Sequence, residues 1–389
     1  MAKAKAFCAK YIRKYREKGK MHNMFYNIPT KFFCESSCIA NHASDIAGYG
    51  KKACIVTGKN STKLNHSLND MIHALETIGT EYILYDRIEE NPSVELIMDA
   101  VSCVREFKPD FVIGMGGGSP LDASKSIALM LANPGRDKTL LFDIVSDYNA
   151  ALPVIAVPTT CGTGSEITPY SILTLHDKKT KSSIPHHIFP VLALADPSYL
   201  KSASDNILKY TAVDALGHFI ESYINSRATV ISRMFCEKGM SMWKQVKNIL
   251  LKTERTDEDY ETLLIVSSFA GMAISHTGTS LPHGMSYSLT YDCKVPHGKA
   301  VGTFLASYIA NSDAVNRHEV LTLLGYSDAA GLQNDLKSLI GTVEVSKEAY
   351  DSYVNDMSQN KRKLASCPFA ADSGKVAAIY RESLIEIKN

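Results

Sequence analysis

The sequence predicts a chain in two parts: an α/β unit built on a mainly parallel sheet, followed by an all-helical unit. Three observations predict it. Short apolar runs alternate with helical periodicities up to about residue 200, and Gly- and Ser/Thr-rich turns close two of those runs. After Lys201 the strand-like alternation stops and period-3.6 patterns run through 205–275 and 297–385. The boundary falls between Asp196 and Ser204, in the polar, turn-forming DPSYLKSASD. The parts are then a basic extension at 1–22, an α/β domain at 23–200 and a helical domain at 201–389.

In chain order, NIPTKFF reads as an opening strand and KKACIVTGKNS as a buried parallel strand closed by a glycine. A helix is expected from Ser61 to Ile78, then the strand EYILYD. ENPSVELIMDAVSCVREF begins with Asn91-Pro92-Ser93 as an N-terminal cap and continues at helical spacing. DFVIGM, a glycine turn and a helix follow, then the strand PVIAVP, a hairpin around HDKKTKSS, and the strand VLALADP.

A chain of 389 residues with 45% hydrophobic and 21% charged residues has room for two domains and a sizeable core. The net charge of +1 gives no reason to expect nucleic acid or a membrane surface as partner. Nine scattered cysteines without a CxxC pair are the usage of a reducing cytoplasm. No run reaches the length of a transmembrane helix, about 18 apolar residues or more. The first twenty residues carry eight Lys or Arg and one acid. They read as a solvated extension with helical tendency, docking on a partner being the alternative.

Gly116, Gly117, Gly118, Ser119 and Pro120 sit between the strand DFVIGM and a helix whose first turns carry Asp122 and Lys125. Glycines let a backbone approach a phosphate closely, and the free amides of a helix N-terminus stabilise its charge. The pattern is neither GxGxxG nor a Walker loop, so a tight structural turn explains it about as well. Thr159-Thr160-Cys161-Gly162-Thr163-Gly164-Ser165-Glu166 is a second such turn. Two of them at strand ends on one side of a sheet suggest a dinucleotide across the crevice. Gly58 ends its strand where a dinucleotide fold often places an acid on the ribose 2′-hydroxyl, which favours NADP over NAD.

In TAVDALGHFIESY, Asp214 and His218 lie four apart and share a helix face, while His283 and His297 each precede a glycine. Three imidazoles and a carboxylate suit a divalent transition metal with a position left open for substrate. Each residue alone has a blander explanation, because the spacing is far looser than HExxH and a lone histidine is more often a core residue.

Taken together, GGGSPLD, PTTCGTGSE, DALGHFIE and two His-Gly sites fourteen apart, in this order, form a specific set. The chain from about Phe25 onward resembles the iron-dependent (group III) alcohol dehydrogenases, including butanol-, 1,3-propanediol- and lactaldehyde-linked members. The resemblance implies a dehydroquinate synthase-like fold, with a dinucleotide-binding α/β domain, an all-α metal-binding domain and the active site between them. It assigns Asp214, His218, His283 and His297 to Fe(II), with Zn(II) the other candidate. Cofactor contacts are expected at Gly58, Asn91, Gly116, Gly117, Gly118, Ser119, Pro120, Asp122, Thr159, Thr160, Thr163 and Thr168, with Lys181 near the nicotinamide ribose. Many members have an Asp where Gly58 stands, which again points to NADP. Many also carry a proton-relaying histidine four residues after the third ligand, and here that position is Tyr287. Its unperturbed pKa near 10 makes it a poor base, so the proton is expected to pass through water, the cofactor ribose or a perturbed Tyr287.

The implied reaction is reversible hydride transfer between a short-chain primary alcohol or diol and its aldehyde, in a cytoplasmic homodimer. A zinc- and NAD-dependent polyol oxidase resembling glycerol dehydrogenase is the first alternative. A non-catalytic metal- and nucleotide-binding assembly protein is the second.

Overall fold

The computed structural model describes residues 24–144 and 147–386; the basic extension expected at 1–22 lies outside them. The first half is a six-stranded sheet made of β1 (Lys31–Cys34), β2 (Lys52–Gly58), β3 (Glu81–Ile88), β4 (Phe111–Gly116), β5 (Val154–Pro158) and, after a hairpin, β8 (Leu192–Ala195). The order is β1-β8-β5-β4-β2-β3 and every pairing is parallel. Parallel strands covered on both faces read as continuous apolar runs, and Ala53, Cys54, Ile55 and Val56 are all fully buried. One face packs on α1 (Ser67–Thr77) through Ile55, Ile113 and Met71. The other packs on α2 (Val94–Val104) and α3 (Gly118–Ala132) through Val56, Val112, Ile97 and Ile127. Each such fully buried aliphatic side chain contributes about 1.5–3 kcal/mol.

Because β3 lies on one side of β2 and β4 on the other, the strand order reverses between β2 and β4. In doubly wound sheets a ligand crevice opens at the carboxyl ends beside such a reversal. Gly58, Gly116 and Thr159 all stand at those ends. The hairpin around HDKKTKSS is present as β6 (Ile172–Leu175) and β7 (Thr180–Ser183), antiparallel, with Lys179 at a φ of 47° in its turn.

Two boundaries differ from expectation. The helix from Ser61 to Ile78 is broken into Ser61–Leu64 and α1, because His66 turns left-handed with a φ of 66°. The Asn65 side chain fixes the break, accepting from the Ser67 amide at 3.1 Å and donating to the Tyr199 carbonyl at 3.2 Å. Asn91 is not part of the α2 cap. Ser93 caps the helix by accepting from the Leu96 amide at 3.2 Å, whereas Asn91 has a φ of 58° and turns toward α3.

The second half begins at α4 (Asp205–Tyr223), with Ser204 as its cap. It continues through α5 (Asp257–Thr277), α6 (Leu281–Asp292) and α7 (His297–Ala310) around a core that includes Phe219, Phe304 and Tyr308. A two-stranded ribbon, Glu344–Val345 with Ile385–Glu386, is the one departure from all-helical structure among the described residues.

Helices α4 and α7 cross at glycines. A Cβ on Gly302 would lie 2.4 Å from Val213 Cγ1, and one on Gly298 would lie 1.8 Å from the Tyr210 carbonyl oxygen. Backbone cannot yield as a side-chain tip can, so Gly298→Ala pushes α7, which starts at His297, away from α4. We expect a loss of about 1–3 kcal/mol of stability, read as a lower thermal unfolding midpoint, together with poorer metal retention.

Candidate metal centre and cofactor cleft

Helix α4 is buried along the stripe that carries Asp214 and His218, the first turn of α6 supplies His283, and α7 opens at His297. The Asp214 carboxylate is the hub. Its Oδ1 lies 3.3 Å from His283 Nε2, 3.7 Å from His297 Nε2 and 4.0 Å from His218 Nε2. One ligand atom each from Asp214, His283 and His297 falls within 4.8 Å of the others. His218 stands just outside that trio, its ring stacked on His283 with centroids 4.7 Å apart.

The charges are arranged for a cation. Burial opposes ionisation of Asp214, yet His218, His297 and His283 around it hold its pKa below the usual carboxylate range. Burial pulls His218 down to about 4 and His297 to about 3, so both rings are neutral and offer lone pairs. Asp214 Oδ1 and His283 Nε2 are buried without a hydrogen-bond partner among the described residues. Such orphaned atoms are costly unless an ion satisfies them. A divalent cation fits this donor set, and it is one that suits Fe(II) or Zn(II).

Glu221 had no role in the reading of the sequence. It is fully buried, and its Oε1 accepts from His283 Nδ1 while Oε2 accepts from the Ser280 amide at 2.5 Å. With Nδ1–H committed to Glu221, the His283 lone pair at Nε2 faces Asp214, an arrangement that outer-shell carboxylates impose on metal-binding imidazoles. Burial disfavours a charged His283, but without an ion Glu221 and Asp214 outweigh it and raise its pKa to about 9, so a cation would take the Nε2 lone pair by displacing a proton. Asp214, His218 and Glu221 follow one another at i, i+4 and i+7, so the helical stripe itself was a signal for Glu221.

At the carboxyl ends of the strands the two turns touch. A Cβ on Gly118 would lie 2.7 Å from Thr163 Cγ2, and one on Gly117 3.2 Å from Thr160 Cγ2. Gly116, with a φ of 138°, accepts from the Thr159 amide at 2.9 Å, and the Pro120 ring packs against it. The Asn91 amide donates to Ser119 Oγ at 3.0 Å, and the Asn91 side chain accepts from Lys181 Nζ at 2.6 Å. The hairpin thereby carries Lys181 to 6.0 Å from the Tyr287 ring, which stacks on His297 at 6.3 Å. Burial lowers Lys181 to about 8, against the pull of Glu90 and Asp214.

Other expected contacts face inward. Asp122 accepts from Ser165 Oγ at 2.5 Å and the Ile172 amide at 2.9 Å, and Lys125 donates to Ser165 and Tyr170. Both side chains tie the second turn and the hairpin to α3. Thr168 is buried just after that turn. Gly58 is half-buried at the end of β2, followed by Lys59, which forms an exposed pair with Glu89 at 3.3 Å. The second turn also closes on the helical half, where Ser275 Oγ donates to the Ile167 carbonyl at 3.0 Å and Tyr170 to that of Ile274 at 3.0 Å. The second turn is thereby joined to the helical half that carries Asp214, His283 and His297.

Comparison with known families decides the identity. Residues 29–197 match the iron-containing alcohol dehydrogenase family, and residues 208–375 match the C-terminal part of the Fe-containing alcohol dehydrogenase family. The chain belongs to the iron-containing alcohol dehydrogenases. It is 29% identical over 307 residues, 76% of this chain and 77% of the relative, to the NADPH-dependent butanol dehydrogenase of Clostridium saccharobutylicum. It is 30% identical over 288 residues, 70% of this chain and 72% of the relative, to alcohol dehydrogenase 4 of Saccharomyces cerevisiae. The solved iron-containing alcohol dehydrogenase of Thermotoga maritima superposes with a TM-score of 0.86 at 35% identity, covering 92% of this chain and 99% of that one. The α/β-then-helical order expected from the sequence is the one found. The enzyme is a metal- and nicotinamide-linked oxidoreductase of alcohols and aldehydes. No helix among its described residues is long and apolar enough to cross a membrane.

Proposed function

We propose that the enzyme reversibly reduces short-chain aldehydes to primary alcohols with NADP(H), using Fe(II) held by Asp214, His218, His283 and His297. The observation that carries this reading is the meeting of Asp214 Oδ1 with the Nε2 atoms of His283 and His297, two of the three atoms buried and unpartnered. When bound, the ion supplies Lewis acidity and the nicotinamide supplies the hydride.

The chain's own residues position and exclude. Glu221 and Ser280 hold His283 in one tautomer and orientation. The glycine turn and the Thr159–Thr163 turn clamp the dinucleotide, with Asn91, Ser119 and Lys181 on its ribose, which is catalysis by positioning. Thr168 backs the second turn, and Asp122 acts on the cofactor by fixing Ser165. Burial raises the Tyr287 phenol far above its ordinary pKa, so it stays a neutral hydroxyl that orients rather than abstracts a proton. Lys181, at about 8, is the group beside the cleft that exchanges a proton near neutral pH, with water as the outer carrier. NADP is favoured because no acid stands at Gly58 and Lys59 follows it. The eight cysteines among the described residues are free, which suits a reducing cytoplasm, and a homodimer is the simplest closed assembly.

The test is an anaerobic oxidation assay with NADPH and NADH across two- to six-carbon aldehydes, with Fe(II), Zn(II) and chelator compared. Fe(II)-loaded enzyme should use NADPH at least about tenfold better than NADH, because no acid at Gly58 repels the 2′-phosphate and Lys59 follows it. Glycerol oxidation with NAD and Zn(II), in place of aldehyde reduction, would establish the polyol oxidase instead.

A further inference from the structure

Behind Tyr287 lies a group of cations that the mechanism above does not use. Lys363 runs its stem over the first turn of α6, so that a Cβ on Gly284 would lie 3.1 Å from its Cγ. Its ammonium donates to Thr279 Oγ1 at 2.8 Å and stands 5.5 Å from the Tyr287 ring centroid. Arg227 Nη2 lies over the neighbouring Gly278, 3.1 Å from where a Cβ would sit. Arg227 and Arg362 are exposed, and Lys363 is partly buried with Glu221 as the first acid acting on it. The nearest acid acting on Lys363, Glu221, is spent on His283 and Ser280.

An ammonium has three protons to donate, and Lys363 donates one to a hydroxyl. Burial, and after it the like charges of Arg362 and Arg227, press Lys363 down to about 8 against the pull of Glu221. Arg227 and Arg362 are exposed and solvated, so the ammonium of the partly buried Lys363 is the charge that an incoming anion would relieve. Tyr287 spans the gap to the chemistry, since the ring beside Lys363 also stacks on His297. Lys363 Nζ and the His297 ring lie 5.5 and 6.3 Å from the Tyr287 centroid, so an aliphatic chain laid along that ring reaches from one toward the other. The dinucleotide phosphates have their own place at the glycine turn, across the cleft.

We propose that this cluster, with Lys363 as its anchor and Arg362 and Arg227 beside it, binds the anionic far end of the substrate, a short aldehyde ending in a carboxylate or similar oxyanion. The inference rests on the dehydrogenase reading and narrows its substrate class. Lys363 here is a specificity residue that touches the substrate away from the reacting carbon.

The experiment uses Fe(II)-loaded full-length enzyme with butanal and 4-oxobutanoate, which have equal chain lengths. The wild type should prefer the oxo acid by about 30-fold in kcat/KM, through KM, as a charge-assisted hydrogen bond gives. Lys363→Met should bring the ratio close to one, while Lys363→Arg keeps most of it. Calorimetric binding of 4-hydroxybutanoate should weaken by a similar factor in Lys363→Met, with the NADPH Kd unchanged. Equal use of both aldehydes by the wild type overturns the proposal and leaves the dehydrogenase reading standing. So does a Lys363→Met variant that retains the preference, or one whose main defect is NADPH binding. Failure to oxidise NADPH with either aldehyde overturns both.

Discussion

Asp214→Ala should strip the metal and abolish turnover, leaving NADPH binding close to that of the wild type. Asp214 is the carboxylate that all three imidazoles approach, within 3.3 to 4.0 Å, and the one full negative charge in the trio. Removing it leaves neutral imidazoles with no anionic donor to offset the cost of desolvating a dication in a buried site. Lewis-acid activation is worth several kcal/mol, so the loss in kcat should reach roughly a thousandfold. The nucleotide turns are held by β4, β5 and α3, away from this carboxylate, so cofactor fluorescence should still titrate with NADPH. His283→Ala should behave alike. Elemental analysis of both variants beside the wild type gives the metal content, and near wild-type turnover in metal-free protein would falsify the assignment.

Glu221→Leu should cost the next largest share. The side chain accepts two hydrogen bonds, one that sets the His283 tautomer and one that pins the start of α6 through the Ser280 amide. Leucine fills the space and accepts neither. His283 can then turn its other nitrogen toward Asp214, and metal affinity should fall about 10- to 100-fold, as for other outer-shell partners. Glu221→Gln keeps one acceptor and places an NH2 where the second stood, so its loss should be smaller. Competition against a graded series of chelators measures both. Unchanged affinity in Glu221→Leu would mean that His283 is held by packing alone.

Much of this site was legible in the chain, for reasons that differ residue by residue. Asp214 and His218 could be paired because a helix repeats its face at four residues, and Glu221 continues the same stripe. His283 and His297 were legible only through their place in a set of motifs, since what joins them to Asp214 is the crossing of α4 with α7 at Gly298 and Gly302. Lys363 could not be found, because it reaches Thr279 across 84 residues of chain. The break at Asn65 was hidden for the same reason, its partner Tyr199 lying 134 residues on. Asp122 shows the opposite failure. A carboxylate on the first turn of a phosphate-loop helix looks available, but the hairpin folds back and takes both its oxygens through Ser165 and Ile172.

Anomalous diffraction from crystals loaded with Fe(II) under anaerobic conditions, recorded on both sides of the iron edge, locates the ion itself. A single strong peak should appear at bonding distance, about 2.0–2.2 Å, from the Asp214 carboxylate and from the Nε2 atoms of His218, His283 and His297, with His218 drawn in to complete the set. A peak at any other cluster, or active crystals with no peak between α4, α6 and α7, would contradict it.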